Sequence, residues 1–173
     1  ISVLPYNELG AAAAAYNADE KELCRLDEIY SAVKTPFEIR SGSEKVTRRF
    51  FKICNNGRES FTGLYKSLTE QGICKGHQCI AYGLYMRDNG IELSEGLAVY
   101  GYSICSAIVT NCVKLVPLSQ LAGQKILGES FELISSASEK ALFTDINDIG
   151  ISGAGFDLRA MQHERLYSRQ YMS

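Results

Sequence analysis

The chain of 173 residues carries 18 Lys+Arg against 20 Asp+Glu, a net charge of −2 with a pI near 5.8, and 46% of it is apolar. That size suits one domain, which buries roughly 70% of the surface its unfolded chain exposes. The near-neutral balance excludes nucleic-acid binding by charge alone, which rests on neutralising many phosphates. No run of about 18 uninterrupted apolar residues marks a membrane span.

Residue 1 is Ile, and no basic-then-apolar leader precedes it, so the expectation is a processed chain or a fragment. Only three prolines, with apolar spacings of three and four, predict helices almost throughout. The alanine run from Ala11 to Ala15 falls in a helix over 6–16. Leu23, Leu26, Ile29, Tyr30 and Val33 line one face of the next. Thr35-Pro36-Phe37-Glu38 is a start signal: Thr35 caps, Pro36 suits the first turn, and Glu38 reaches back to close a capping box. Val46, Phe50, Ile53 and Cys54 then turn inward. Phe61, Leu64, Tyr65 and Leu68 form another stripe, closed by Gly72.

A helix over 77–88 stops at Asn89-Gly90. Ser94 caps a long helix reaching Val116, so apolar all round that it reads as the centre of a bundle. Gly96, Gly101, Ser106 and Ala107 admit its neighbours, while Ser103, Ser106, Thr110, Asn111 and Lys114 break up any membrane segment. Pro117 ends or kinks it, and shorter helices follow over 118–127 and 131–143. A Gly-rich loop, 144–156, leads to Asp157 as cap of a last helix from Leu158 to about Ser168. The expectation is one all-α domain over 1–173, a helical bundle of seven or eight helices.

Six cysteines sit at positions 24, 54, 74, 79, 105 and 112. Cys24, Cys54, Cys105 and Cys112 fall in apolar helical patterns, where a free thiol acts as a small hydrophobe, so a reducing, cytoplasmic setting is expected. Cys74-Lys-Gly-His77-Gln-Cys79 holds the right types for zinc or nickel. Its spacing matches no standard zinc pattern, and Cys79 falls at a helix start, so packing is the competing reading. A cysteine nucleophile needs a histidine base, and His77 and His163 both lie outside recognisable nucleophile motifs. Gly150, Gly153 and Gly155 suggest a phosphate loop, but no strand precedes them and no Lys-Ser/Thr follows. No catalytic residue is expected.

Leu158, Met161 and Leu166 lie on the last helix, and Tyr167, Arg169, Tyr171 and Met172 crowd the final seven residues. Chain ends are usually frayed and polar, whereas Tyr, Met and Arg are interface residues. A docking tail over 157–173 is favoured over one folded onto its own domain.

Two segments carry a resemblance. Asn111 to Leu127, with Lys114, Pro117, Leu118, Gln120, Gly123 and Gln124, resembles the urease accessory protein F family where a helix ends in Lys-x-x-Pro-Leu-x-Gln and continues through Gly-Gln. Met161-Gln162-His163-Glu164, Leu166-Tyr167-Ser168-Arg169 and Met172-Ser173 resemble its C-terminal signature. Looser similarity reaches back through 77–90 to Thr35. The family opens with further helical sequence that has no counterpart here, so the resemblance implies a missing N-terminal segment. Cys74 and Cys79 stand outside its pattern.

The resemblance implies an all-α, non-catalytic scaffold for urease maturation. Such a protein binds accessory protein D (also called H), then recruits the GTPase accessory protein G and modulates it. The assembly delivers nickel to apo-urease, so nickel and GTP belong to the partners and no cofactor is intrinsic; homodimers are common. By this likeness Met161, Gln162, His163, Tyr167, Arg169 and Tyr171 order against the D/H partner. Lys114, Gln120 and Gln124 flank a Pro-bent junction beside the tail, and there they either meet a partner or satisfy backbone groups at the bend.

Overall fold

The computed structural model describes residues 1–54, 57, 59–151 and 153–167, and every regular element among them is helical. The α-helices are α1 (Glu8–Asn17), α2 (Glu20–Val33), α3 (Phe37–Ile53), α4 (Phe61–Glu70), α5 (Gln78–Asp88), α6 (Leu93–Leu115), α7 (Gln120–Glu129), α8 (Phe131–Ala141) and α9 (Ala154–His163). Short 3₁₀ turns occupy Leu4–Tyr6 and Ile146–Asp148. The all-α expectation holds. Among the described residues the α-helices number nine, against the seven or eight expected, and the first two are separated as their patterns indicated. Ala18 is extended, and Asp19 starts α2 with a capping box in which its side chain accepts from Glu22 N while Glu22 accepts from Asp19 N.

The central helix is α1, not α6. Its Leu9, Gly10, Ala11, Ala12, Ala13 and Ala15 are buried, and it touches α2, α5, α6 and α8. Alanine favours the helix and adds almost no bulk, so neighbouring backbones come close. The tightest approach is to α5, where a Cβ on Gly83 would overlap the carbonyl oxygen of Ala12. Large side chains close the layer from outside: Leu23, Leu26, Tyr30, Ile80, Leu84 and Leu97 are fully buried.

Helix α6 is apolar all round yet only half enclosed. Gly96, Leu97, Tyr100, Gly101 and Cys105 pack inward, whereas Ile108 is 57% exposed and Leu115 and Val116 are exposed as well. Gly96 and Gly101 do admit Met86 and Ile134, but Ala107 is exposed and Ser106 only half-buried. By length and hydropathy (1.4 over its best window) α6 alone among the described helices could cross a membrane, and its first half is instead packed in the bundle. Glu92, rather than Ser94, caps it. The Glu92 carboxylate accepts from Glu95 N at 3.0 Å and from the Ser94 hydroxyl.

Helix α3 differs from expectation at both ends. Pro36 is extended, so the helix starts after it, and Thr35 makes no capping bond. Its buried face is Thr47 and Phe51, with the Phe51 ring edge-on to Tyr65 at 5.9 Å and Phe50 edge-on to Tyr85 at 5.5 Å. Anchoring on those rings turns Val46 and Ile53, expected inside, out to 40% and 82% exposure. At the far end of the chain α9 begins at Ala154, so the Gly-rich loop is shorter than 144–156. Asp157 is not its cap but lies in its first turn, where the helix dipole favours a carboxylate.

Replacing Gly83 by Ala should force α1 and α5 apart, because the new methyl meets rigid backbone. The expected loss is about 3 kcal/mol, the upper range for overpacking, read as a lower urea midpoint at an unchanged slope.

Candidate functional site

The Cys/His motif is a packing site. Asp27 on α2 is buried and accepts three hydrogen bonds, from the Tyr65 hydroxyl at 2.5 Å, Lys75 N at 2.7 Å and Gly76 N at 3.1 Å. Tyr65 in turn accepts from His77 N at 2.8 Å. One carboxylate thus binds α2 to α4 and to the segment that starts α5. The residues sequence reasoning grouped then separate. Cys74 Sγ faces Cys24 Sγ at 3.9 Å, His77 Nε2 faces the Ser31 hydroxyl at 2.8 Å, and the buried Cys79 has the Tyr30 side chain as its hydrogen-bonding neighbour. All six thiols are free. Among the described residues no three His, Cys, Asp or Glu side chains are placed to hold a metal ion.

The electrostatics agree. Burial pulls the His77 imidazole down to about 4, against the pull of Asp27, and pushes the Cys79 thiol up to about 12. The Cys74 thiol is raised by burial and by the Asp27 and Cys24 charges. Neutral thiols and a neutral imidazole pack well and are poor nucleophiles. Asp27 was missed from sequence, although it stands on the same helical face as Leu23, Leu26 and Tyr30. A carboxylate on an apolar stripe is the signal of a buried network.

The C-terminal helix is organised differently. Among its ten residues α9 buries none. Phe156, Leu158 and Met161 are exposed, as are Leu166 and Tyr167 beyond it, and Gln162 and His163 also face outward. Among the described residues two polar contacts hold this end of the chain to α3. The Glu164 carboxylate accepts from Phe37 N at 2.8 Å, supplying the cap that Thr35 does not, and His163 Nδ1 lies 2.7 Å from Glu38 Oε2. Arg159 donates to Gln162 at 3.0 Å along the helix. Arg169 and Tyr171 lie outside the described residues.

Lys114, Gln120 and Gln124 are exposed around the turn from α6 to α7, where Val116 is extended before Pro117 and Ser119 caps α7 through Ala122 N at 3.1 Å. Helix α7 packs on α6 and α8, and α9, the described helix of the tail, packs on α3.

The sequence profile of the UreF family matches residues 3–130. The chain belongs to the UreF family. The urease accessory protein UreF of Actinobacillus pleuropneumoniae serotype 5b (strain L20) is 32% identical over 173 residues, covering 97% of this chain and 76% of that protein. Those of Haemophilus influenzae (strain PittGG) and Paenarthrobacter aurescens (strain TC1) are 33% and 31% identical, covering 97% and 86% of this chain and 74% and 67% of theirs. The UreF profile takes in α1 to α7 and stops before α8 and α9, whereas the pairwise likeness to the Actinobacillus protein runs along nearly the whole chain.

In this UreF-family chain the Asp27 network should govern stability. Asp27→Asn replaces one carboxylate oxygen by an N–H₂ that must face either Lys75 N or the Tyr65 hydroxyl and Gly76 N, and should lower stability by about 3 kcal/mol in urea unfolding. His77 folds neutral, and its unfolded form takes a proton first. Stability is therefore full above pH 6.5 and falls as the pH drops from 6.5 to about 4. The expected loss is about 3 kcal/mol, and His77→Gln should flatten that part of the profile. An equal slope in the variant would remove His77 as its cause.

Proposed function

We propose that this chain is a non-catalytic scaffold of urease maturation whose C-terminal helix and following residues dock the D/H accessory protein. The resulting complex recruits and modulates the GTPase accessory protein G, which delivers nickel to apo-urease. The observation that carries this reading is α9: a helix that buries no residue of its own while Phe156, Leu158, Met161, Leu166 and Tyr167 stay exposed. A self-packed terminus would have placed those side chains in the core. Met161, Gln162, His163 and Tyr167 would form the described part of the contact, with Arg169 and Tyr171 continuing it. Membership of the UreF family supports the urease setting.

Lys114, Gln120 and Gln124 mark a second face for a partner, at the α6–α7 turn. Exposed Leu115, Val116, Leu121, Ile126, Phe131 and Leu133 on α6, α7 and α8 support pairing with a second copy of the chain. Six free thiols suit a reducing, cytoplasmic setting. Nickel and GTP are handled by the partner proteins. The carrier alternative loses its geometric basis, since Cys74, His77 and Cys79 each face a different neighbour.

Size exclusion with light scattering on this chain and the D/H protein tests the reading. The intact chain should form a stable complex, and deletion of 167–173 should abolish it while leaving helical circular dichroism and thermal stability unchanged. A complex that survives the deletion, or a large fall in stability, would move the tail from partner docking to self-packing. Equilibrium dialysis against Ni²⁺ should show the same uptake for the wild type and for Cys74→Ala/Cys79→Ala; specific uptake lost in the variant would revive the carrier.

A further inference from the structure

Helix α3 holds a surface that tail docking does not use. Its 17 residues carry Arg40, Lys45, Arg48, Arg49 and Lys52 against Glu38 and Glu44, a net +3. The whole chain is −2, so the remainder is −2 less +3, or −5. Lys45, Arg48, Arg49 and Lys52 stand at i, i+3, i+4 and i+7, one helical face about 10 Å long. All four are exposed. Among the described residues Arg48 has Glu44 at 3.9 Å, and Lys45, Arg49 and Lys52 lie in no ion pair.

Helix stability does not explain this stripe. Like charges at these spacings oppose one another, and the helix dipole favours only a cation in the last turn, here Lys52. Beside the stripe the aliphatic side chains of Val46 and Ile53 are exposed, seven residues apart. Val46 also lines a cleft of about 340 Å³ between α3 and α6, with Ile39, Tyr100, Ile104 and Ile108 in its walls. Cations, aliphatic side chains and an adjoining cleft together make an amphipathic docking face.

We propose that this face of α3 binds an acidic amphipathic polypeptide segment, whose carboxylates pair with the four cations while its apolar side chains cover Val46 and Ile53. A nucleic-acid backbone offers nothing to two exposed aliphatic side chains, and a chain otherwise at −5 repels an extended polyanion beyond the stripe. Insertion into a lipid surface calls for large apolar side chains. Phe50 and Phe51 are instead turned inward on Tyr85 and Tyr65. The proposal stands apart from tail docking, because α9 meets α3 at Phe37 and Glu38, about two turns before Lys45.

The probe is a fluorescein-labelled peptide of about 14 residues, with Glu at i, i+3, i+4 and i+7 and Leu on the adjoining face, read by fluorescence anisotropy at roughly 50 and 200 mM salt. Saturable binding should weaken at the higher salt. It should fall at least about tenfold in Lys45→Glu/Arg49→Glu/Lys52→Glu, fall several-fold in Val46→Ser/Ile53→Ser, and stay unchanged in the control Lys21→Glu/Lys140→Glu. Circular dichroism checks that each variant remains helical. Absence of saturable binding, an equal loss in the control, or indifference to Val46→Ser/Ile53→Ser would overturn the proposal. So would tighter binding of a duplex DNA or of phosphatidylserine vesicles through the same cations.

Discussion

Helix α1 can lie against α5 only because α5 places no side chain at their crossing and α1 none larger than a methyl. The carbonyl oxygen of Ala12 fills the space a Cβ on Gly83 would need, and the methyl of Ala15 flanks it. Everything else is arranged around that contact. Helices α2, α6 and α8 gather on the remaining sides of α1, and their larger side chains complete a core that backbones alone could not fill. Small residues thus do in this bundle what a heptad seam does in a coiled coil: they set which helices meet and how closely.

A second layer of order comes from polar groups. Asp27 takes the backbone N–H groups of Lys75 and Gly76 together with the Tyr65 hydroxyl, so the segment entering α5 is fixed to α2 and α4. A buried carboxylate with that many donors is well satisfied; removing one partner would leave a charge without compensation. At the C-terminus the balance is reversed. Helix α9 is joined to α3 through Glu164 and His163 with no buried side chain behind them. Exposed or partly exposed polar contacts of this kind contribute little to stability. The molecule therefore divides into a densely packed interior and outer faces, on α3, on the end of α6 and on α9, where large apolar side chains stay exposed.

Much of this was legible from residues alone. The alanine run, the Gly72 and Asn89-Gly90 stops and the stripe Phe61, Leu64, Tyr65 and Leu68 follow local rules, and each marks its helix in the structure. What local rules could not supply was which face turns inward. Val46 and Ile53 make as good an apolar stripe with Phe50 as Thr47 and Phe51 do, and only the packing of Phe50 on Tyr85 and Phe51 on Tyr65 turns Val46 and Ile53 outward. The cap of α3 was equally out of reach, because Glu164 stands 127 residues from Phe37. The length and apolar character of α6 suggested a central helix, yet Ile108, Leu115 and Val116 towards its end are exposed. In the candidate site, Met161, Gln162, His163 and Tyr167 are exposed. Cys74, His77 and Cys79 were close in sequence, but a helix start lies among them and turns their side chains to different partners.

Hydrogen exchange resolved along the chain tests the central claim, that fold and recognition occupy separate parts of this molecule. In the free chain, amides of α1 and α5 should exchange at the rate of global unfolding, and those of α9 many times faster. Addition of the D/H accessory protein should then slow α9 while leaving α1 and α5 unchanged. Protection of α9 equal to that of α5 in the free chain, or partner-induced protection confined to other helices, would contradict the account.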